Sequence, residues 1–190
     1  HGFWLLHGHW AGTVSITSAH RLTVIIATYS PLRMRNIPAL VRSLLKCGFV
    51  ERILVCNNNP SVRIGEHLNI RDRRLVLLDQ SVRRGPGYNW VLALREEAEY
   101  FMSIDDDMLV FPRQVALLFE RLVERPEVPH GFAGQCGSRY LQCRETEVDT
   151  LYLIYAATQV HAQRFVEIVT RIVESGVLTV EDLELWGDDM

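Results

Sequence analysis

Three consecutive carboxylates, Asp105, Asp106 and Asp107, follow the apolar run Tyr100-Phe101-Met102-Ser103-Ile104. Three adjacent acids at the end of a buried strand repel one another and are partly desolvated, so keeping them ionised calls for a compensating cation. Mg²⁺ or Mn²⁺ suits the task, because both take oxygen ligands and combine one or two carboxylates with substrate phosphates. On an extended backbone Asp105 and Asp107 would point one way and Asp106 the other. One pair then serves a metal and its ligand, and the middle residue holds a loop or a ribose. A solvated acidic turn is the alternative, and the position behind an apolar strand favours the metal site.

Other polar groups punctuate the chain in the same manner. Thr28-Tyr29 ends the run Leu22 to Ala27, Asn57-Asn58-Asn59-Pro60 ends Arg52 to Cys56, and Asp79 ends Leu75 to Leu78. The asparagines make good turn chemistry. Asn57, nearest the strand, is the best candidate to meet a nucleobase, since an amide both donates and accepts. Arg83-Arg84-Gly85-Pro86-Gly87-Tyr88-Asn89 joins cations, a tight turn and a helix start, a combination that suits phosphate as well as it suits a plain turn. It has neither GxGxxG spacing nor the lysine of a P-loop.

The elements that must position these groups alternate. Short β-branched runs at 22–27, 52–56, 75–78 and 100–104 read as buried parallel strands. Between them lie helical patterns: Ile37, Leu40, Val41, Leu44 and Leu45, stopped by Gly48; Val91, Leu94 and Ala98; and Val115, Leu118, Phe119, Leu122 and Val123 behind Pro112. Alternation with short connections predicts an α/β domain with a mainly parallel sheet. Ligands of such sheets bind outside the carboxyl ends of the strands, where all four polar clusters fall. Residues 126–150 are expected to be loop-rich, 151–157 a further strand, and Phe165, Ile168, Val169, Ile172 and Val173 a last amphipathic helix closed by Gly176.

Composition narrows the classes. A chain of 190 residues, 48% hydrophobic and 23% charged, suits one globular domain rather than a disordered chain. A net charge of −3 and scattered basic residues do not favour nucleic acid. Arg71, Arg73 and Arg74 read as a solvated loop. No apolar stretch is long enough to span a membrane. Cys47, Cys56, Cys136 and Cys143 lack Cys-x-x-Cys spacing; Cys56 reads as a buried apolar residue, and a Cys136–Cys143 pair is left open. His7, His9, His20 and His130 read as terminal, structural or surface residues, whereas His161 follows a strand near an expected acceptor. Beginning at His1 and ending within a motif, the chain is expected to be a fragment. Its localisation stays open: Golgi or ER lumen if an anchor precedes it, the cytoplasm otherwise.

Val24 to Tyr29, Leu54 to Asn58, Arg84 to Asn89 and Ile104-Asp105-Asp106-Asp107-Met108 together resemble the GT-A fold glycosyltransferases, nearest the family 2 type and the exostosin-like family 64 type. The asparagine turn is nearer the exostosin-like pattern than the acidic, serine-containing turn of family 2. The resemblance implies an N-terminal extension over 1–21 and a catalytic domain over 22–190, built as a three-layer α/β/α sandwich. It further implies Mn²⁺ or Mg²⁺ held by Asp107 with Asp105, a nucleotide-sugar donor (a UDP-sugar first), and a glycan, lipid or protein acceptor. Thr28, Tyr29, Asn57, Asp79, Arg84, Asn89, Asp105 and Asp106 would then line the nucleotide. Trp186-Gly187-Asp188-Asp189-Met190 resembles the family's late acidic motif beside the acceptor, where a carboxylate of inverting members takes the acceptor proton. Asp189 is the first choice, Asp188 the second, and Glu181-Asp182 a rival.

Three other functions compete. A sugar-nucleotide pyrophosphorylase needs a glycine-rich basic loop after its first strand, where Thr28 to Arg33 has no glycine. A non-catalytic nucleotide- or glycan-binding relative would not need the intact triplet. A phosphoryl-accepting Asp105 would need a lysine at the sheet edge, and Lys46, the only one, sits late in a helix.

Overall fold

The computed structural model describes residues 13–85, 87–136, 139–142, 148, 150–151 and 153–177. Strand β1 (Leu22–Thr28) is apolar on both faces and buried on both, as a strand covered by helices must be. Pro31, expected only to break that strand, starts a one-turn helix, α1 (Pro31–Met34), where its missing N–H costs nothing. Helix α2 (Ile37–Leu44) then buries Ile37, Leu40, Val41 and Leu44. Strand β2 (Val50–Asn57), a 3-10 turn at Ile64–Glu66, β3 (Leu75–Asp79), α3 (Tyr88–Arg95), β4 (Tyr100–Asp105) and α4 (Pro112–Glu124) follow.

The main sheet has the order β3-β2-β1-β4-β9-β5, in which β9 is Ile154–Thr158 and β5 is His130–Gly131. β1 to β4 run parallel; β9 is antiparallel to β4, and β5 to β9. This is a mixed, mostly parallel six-stranded sheet with flanking helices, a Rossmann-like α/β fold. From β1 the chain winds outward through β2 and β3, then crosses back to place β4 on the other side of β1. The β1/β4 boundary is thus the topological switch point, where strand connections diverge and leave a crevice.

Helices α2 and α4 cover one face of the sheet, with Phe49 and Phe119 stacked at 5.5 Å between ring centroids. Helix α3 and α5 (Gln159–Glu174) cover the other, where Trp90 stacks on both Tyr155 and Phe165. Side-chain alternation along each strand assigns Thr28, Asn57 and Asp79 to the α2/α4 face, and Cys56, Leu78 and Asp105 to the α3/α5 face.

Several expectations are corrected. The 126–150 stretch contains β5, β6 (Ala133–Cys136), β7 (Arg139–Gln142) and β8 (Thr150–Leu151); the last three form a small antiparallel sheet. The strand expected over 151–157 is divided at Leu153, whose φ of +68° turns the chain from the small sheet into the large one. Arg74 is not solvated: it donates to the carbonyls of Leu45, Cys47 and Val50 and pairs with Asp72. It thereby caps the carbonyl end of α2, and its hydrogen bonds hold the Asp72 carboxyl below the usual range. His161 sits away from the acidic triplet, because β9 is antiparallel and Thr158 pairs with Tyr100 at the amino end of β4. Its ring serves Thr158 and the Glu127 carbonyl instead. Cys136 is free and exposed, and Cys143 lies outside the described residues. No helix among the described residues is long and apolar enough to cross a membrane.

Candidate active site

The four polar clusters meet on one edge, in register. Thr28 lies beside Asn57, Asn57 beside Asp79, and Ala27 beside Asp105. Parallel strands ending at the same level must bring their trailing residues together, so this rim follows directly from the topology.

The acidic triplet departs from the expected alternation. The strand ends at Asp105, and the Met108 N–H donates back to the Asp105 carbonyl, closing a tight turn. That turn swings Asp107 to the side of Asp106, and both face Arg33. Arg33 Nη1 lies 3.6 Å from Asp106 Oδ1 and 3.2 Å from Asp107 Oδ2. Asp106 is buried and accepts a 2.6 Å hydrogen bond from Thr28 Oγ1, while its carbonyl accepts one from Asn36 Nδ2. Burial pushes the Asp106 carboxyl up from the usual carboxylate value, against the Thr28 hydrogen bond and Arg33, which pull it down. Asp107 is the open member, with 39% of its side chain exposed.

The neighbouring strand ends are similarly committed. Asn57 is fully buried; it donates to Val62 O and Asp79 Oδ1 and accepts from the Asn59 N–H. Asp79 also accepts from the Ile64 N–H and pairs with Arg63 at 3.8 Å. The Asn57 amide is therefore occupied by the protein itself, which leaves its N–H groups turned away from a base. Cys56 donates to Asn58 Oδ1 and accepts from Gln80 Nε2; burial pushes its thiol up to about 11.

On the exposed side, the Arg83 guanidinium covers the Tyr29 ring at 4.9 Å, and Tyr29 is 45% exposed. Arg84 lies over Tyr88 at 5.3 Å. Beneath them Asn89, almost fully buried, donates to Ser103 Oγ, and its Oδ1 has no donor among the described residues. Asp188 and Asp189, with their rival Asp182, lie outside the described residues, as do His7 and His9. Arg33, Asn36, Arg63 and Gln80 were not singled out in sequence. The path through α1 to α2 brings in Arg33 and Asn36 and the β2–β3 loop brings in Arg63, with nothing in their spacing to signal it, while Gln80 directly follows Asp79 at the end of β3.

The donor set limits what a metal would find. Among the described residues no three His, Cys, Asp or Glu side chains converge on one point, and Asp106 is spent on Thr28. Asp107 is the open carboxylate that a hard cation could use, whereas Asp105 leaves β4 toward the α3/α5 face and not beside Asp107 as expected, so the protein would offer only a partial shell for phosphate to complete. That shell fits Mg²⁺ or Mn²⁺, which are bound through one or two carboxylates plus substrate, and does not fit a closed all-protein site.

The class defined by this architecture is the Rossmann-like α/β fold, and solved structures share it. CMP:2-keto-3-deoxy-manno-octonic acid synthetase complexed with CTP superposes with a TM-score of 0.56 at 11% identity, over 83% of this chain and 87% of that one. Rv0371C from Mycobacterium tuberculosis H37Rv, in complex with manganese, gives 0.51 at 11% identity, over 84% of each chain. TarS 1-349 of S. aureus gives 0.48 at 17% identity, over 76% of this chain and 48% of that one. At these identities the first two likenesses establish the fold alone. No family model matches the chain, and no curated protein matches its sequence.

Proposed function

We propose that the chain is the catalytic core of a metal-dependent glycosyltransferase, moving a sugar from a nucleoside-diphosphate donor, a UDP-sugar first, to an acceptor hydroxyl. The observation that carries this reading is the acidic triplet at the switch point, with Asp107 open and Asp106 tying the turn to β1. Asp107 would hold Mn²⁺ or Mg²⁺. When bound, the ion supplies charge neutralisation for the departing diphosphate. The chain's own part is to fix the leaving group and the acceptor. Arg84, beside the helix start at Tyr88, stabilises negative charge growing on the diphosphate. Tyr29 offers an exposed ring against which a base can stack. Asn89, bonded to Ser103 on β4, presents a buried acceptor.

The proton of the acceptor hydroxyl is assigned to Asp189, then Asp188. This assignment rests on the resemblance of Trp186-Gly187-Asp188-Asp189-Met190 to the late acidic motif of the GT-A enzymes.

A second reading is nucleotidyl transfer, of the kind a sugar-nucleotide pyrophosphorylase performs. The fold of a CTP-complexed synthetase supports it. Against it stands the loop after β1, which has no glycine and forms α1 instead of an open phosphate cradle. The test is a thermal-shift screen of nucleotide sugars and nucleoside triphosphates with Mn²⁺, on the wild type and Asp107→Ala. Stabilisation by one nucleotide sugar, lost in the variant, supports glycosyl transfer. Stabilisation by a triphosphate with pyrophosphate release supports the second reading. Equal shifts in both proteins sink the metal assignment.

A further inference from the structure

We infer that Arg33 is a built-in counter-ion of the acidic turn, which competes with the divalent cation for Asp107 and passes to the donor diphosphate when that cation binds. The inference rests on the metal reading above. Arg33 stands on the single turn of α1, immediately behind the end of β1. One nitrogen, Nη1, reaches both Asp106 and Asp107. The two carboxylates differ in what else they have. Asp106 is buried and hydrogen-bonded by Thr28, so its place does not depend on Arg33. Asp107 is the exposed partner and the proposed metal ligand, and the guanidinium lies against one oxygen, Oδ2, of that same carboxylate.

A cation and a guanidinium cannot both lie against Asp107 Oδ2 without repulsion, so their binding is antagonistic, and the antagonism is reciprocal. The Arg33 side chain is 56% exposed, and an exposed ion pair of this kind is weak enough to be displaced. The α1 turn stays in place when it is, because Asn36 Nδ2 and Thr28 Oγ1 hold the Asp106 side independently. A guanidinium carries five N–H donors in a fork that matches phosphate oxygens. A metal-bound diphosphate at Asp107 is the nearest such partner. Arg33 thus balances the acidic turn before the donor arrives and binds the donor afterwards.

The experiment measures Mn²⁺ binding without nucleotide, by calorimetry or by the electron paramagnetic resonance signal of free Mn²⁺, and then UDP binding at saturating Mn²⁺. The proteins are the wild type, Arg33→Gln, Arg33→Lys and Asp107→Asn. Removing the competitor in Arg33→Gln is expected to tighten Mn²⁺ binding about five-fold and to weaken UDP binding by about the same factor. Arg33→Lys, which keeps the charge, returns the Mn²⁺ affinity toward the wild-type value. If Asp107→Asn abolishes Mn²⁺ binding but Arg33→Gln leaves the Mn²⁺ Kd within two-fold of wild type, the counter-ion role is overturned and the metal site stands. If wild type and Asp107→Asn bind Mn²⁺ equally or not at all, the metal reading falls and takes the inference with it.

Discussion

The rim of the sheet has an inner and an outer half, and the two are built differently. Thr28, Asn57, Asp79 and Asp106 lie on the α2/α4 side and spend their polar atoms on one another and on nearby backbone. The side chains of Tyr29, Arg33, Arg83 and Asp107 stand outside them, exposed and joined by ion-pair and cation–π contacts. In sequence Thr28, Tyr29, Asn57, Asp79, Asp106 and Asp107 all read as ligands, although they fall in both halves. The difference is one of desolvation. A buried amide or carboxylate must be satisfied by the protein, and once satisfied it positions its neighbours without reaching a ligand. The inner half therefore acts as a latch that fixes the outer half.

The largest test of this division is Asn57→Ala. It removes two donated hydrogen bonds and one accepted bond from a fully buried site, so it should destabilise the fold by about 3 kcal/mol in chemical denaturation. Asp107→Asn, on the outer half, should change stability by no more than ~0.5 kcal/mol. A comparable loss in both variants would erase the distinction.

A smaller effect separates Asp106 from its neighbours by pH. Its folded-state pKa is raised, mainly by burial, so below the ordinary value of 3.8 it is protonated in both folded and unfolded chains and adds no difference. As pH rises past that value the unfolded chain releases its proton first, and the folded state loses stability until its own raised pKa is passed. In chelator, the unfolding midpoint of the wild type should therefore fall relative to that of Asp106→Asn as pH climbs from 3.8. Parallel curves would mean that Asp106 is solvated.

The smallest readout is chemical access to the floor of the rim. With its thiol pushed up to about 11 and buried, Cys56 should resist alkylation at pH 8, as should Cys47, pushed up to about 12. The exposed Cys136 should label. Mass-spectrometric mapping decides this, and rapid labelling of Cys56 would mean that the rim opens.

Much of this architecture is legible in residue patterns. The apolar runs of β1, β2 and β4 became strands covered on both faces, which tolerate such continuity, while β3, at the sheet edge, is only partly buried. The 3.6-residue stripes became α2, α4 and α5 for the matching reason, whereas α3 ends at Arg95 and buries Asn89, Leu92 and Ala93 in place of the expected Val91, Leu94 and Ala98 stripe. The small sheet β6–β7–β8 was not legible: its strands are four residues or fewer, amid glycines, and too short to show a period. The antiparallel sense of β9 was hidden too, since direction leaves no mark on a five-residue apolar segment. That one unknown moved His161 from the acceptor side to the opposite edge.

By itself the sequence determined which residues end the strands, and hence that Thr28, Asn57, Asp79 and Asp105 share an edge, because strand ends of one parallel sheet are neighbours by construction. Tertiary structure alone decided which of them look inward. That choice depends on a turn closing after Asp105, on Thr28 reaching Asp106, and on the short helix that carries Arg33 to Asp107. The last two are contacts between residues more than about 70 positions apart, set by packing, on which local propensity carries no information.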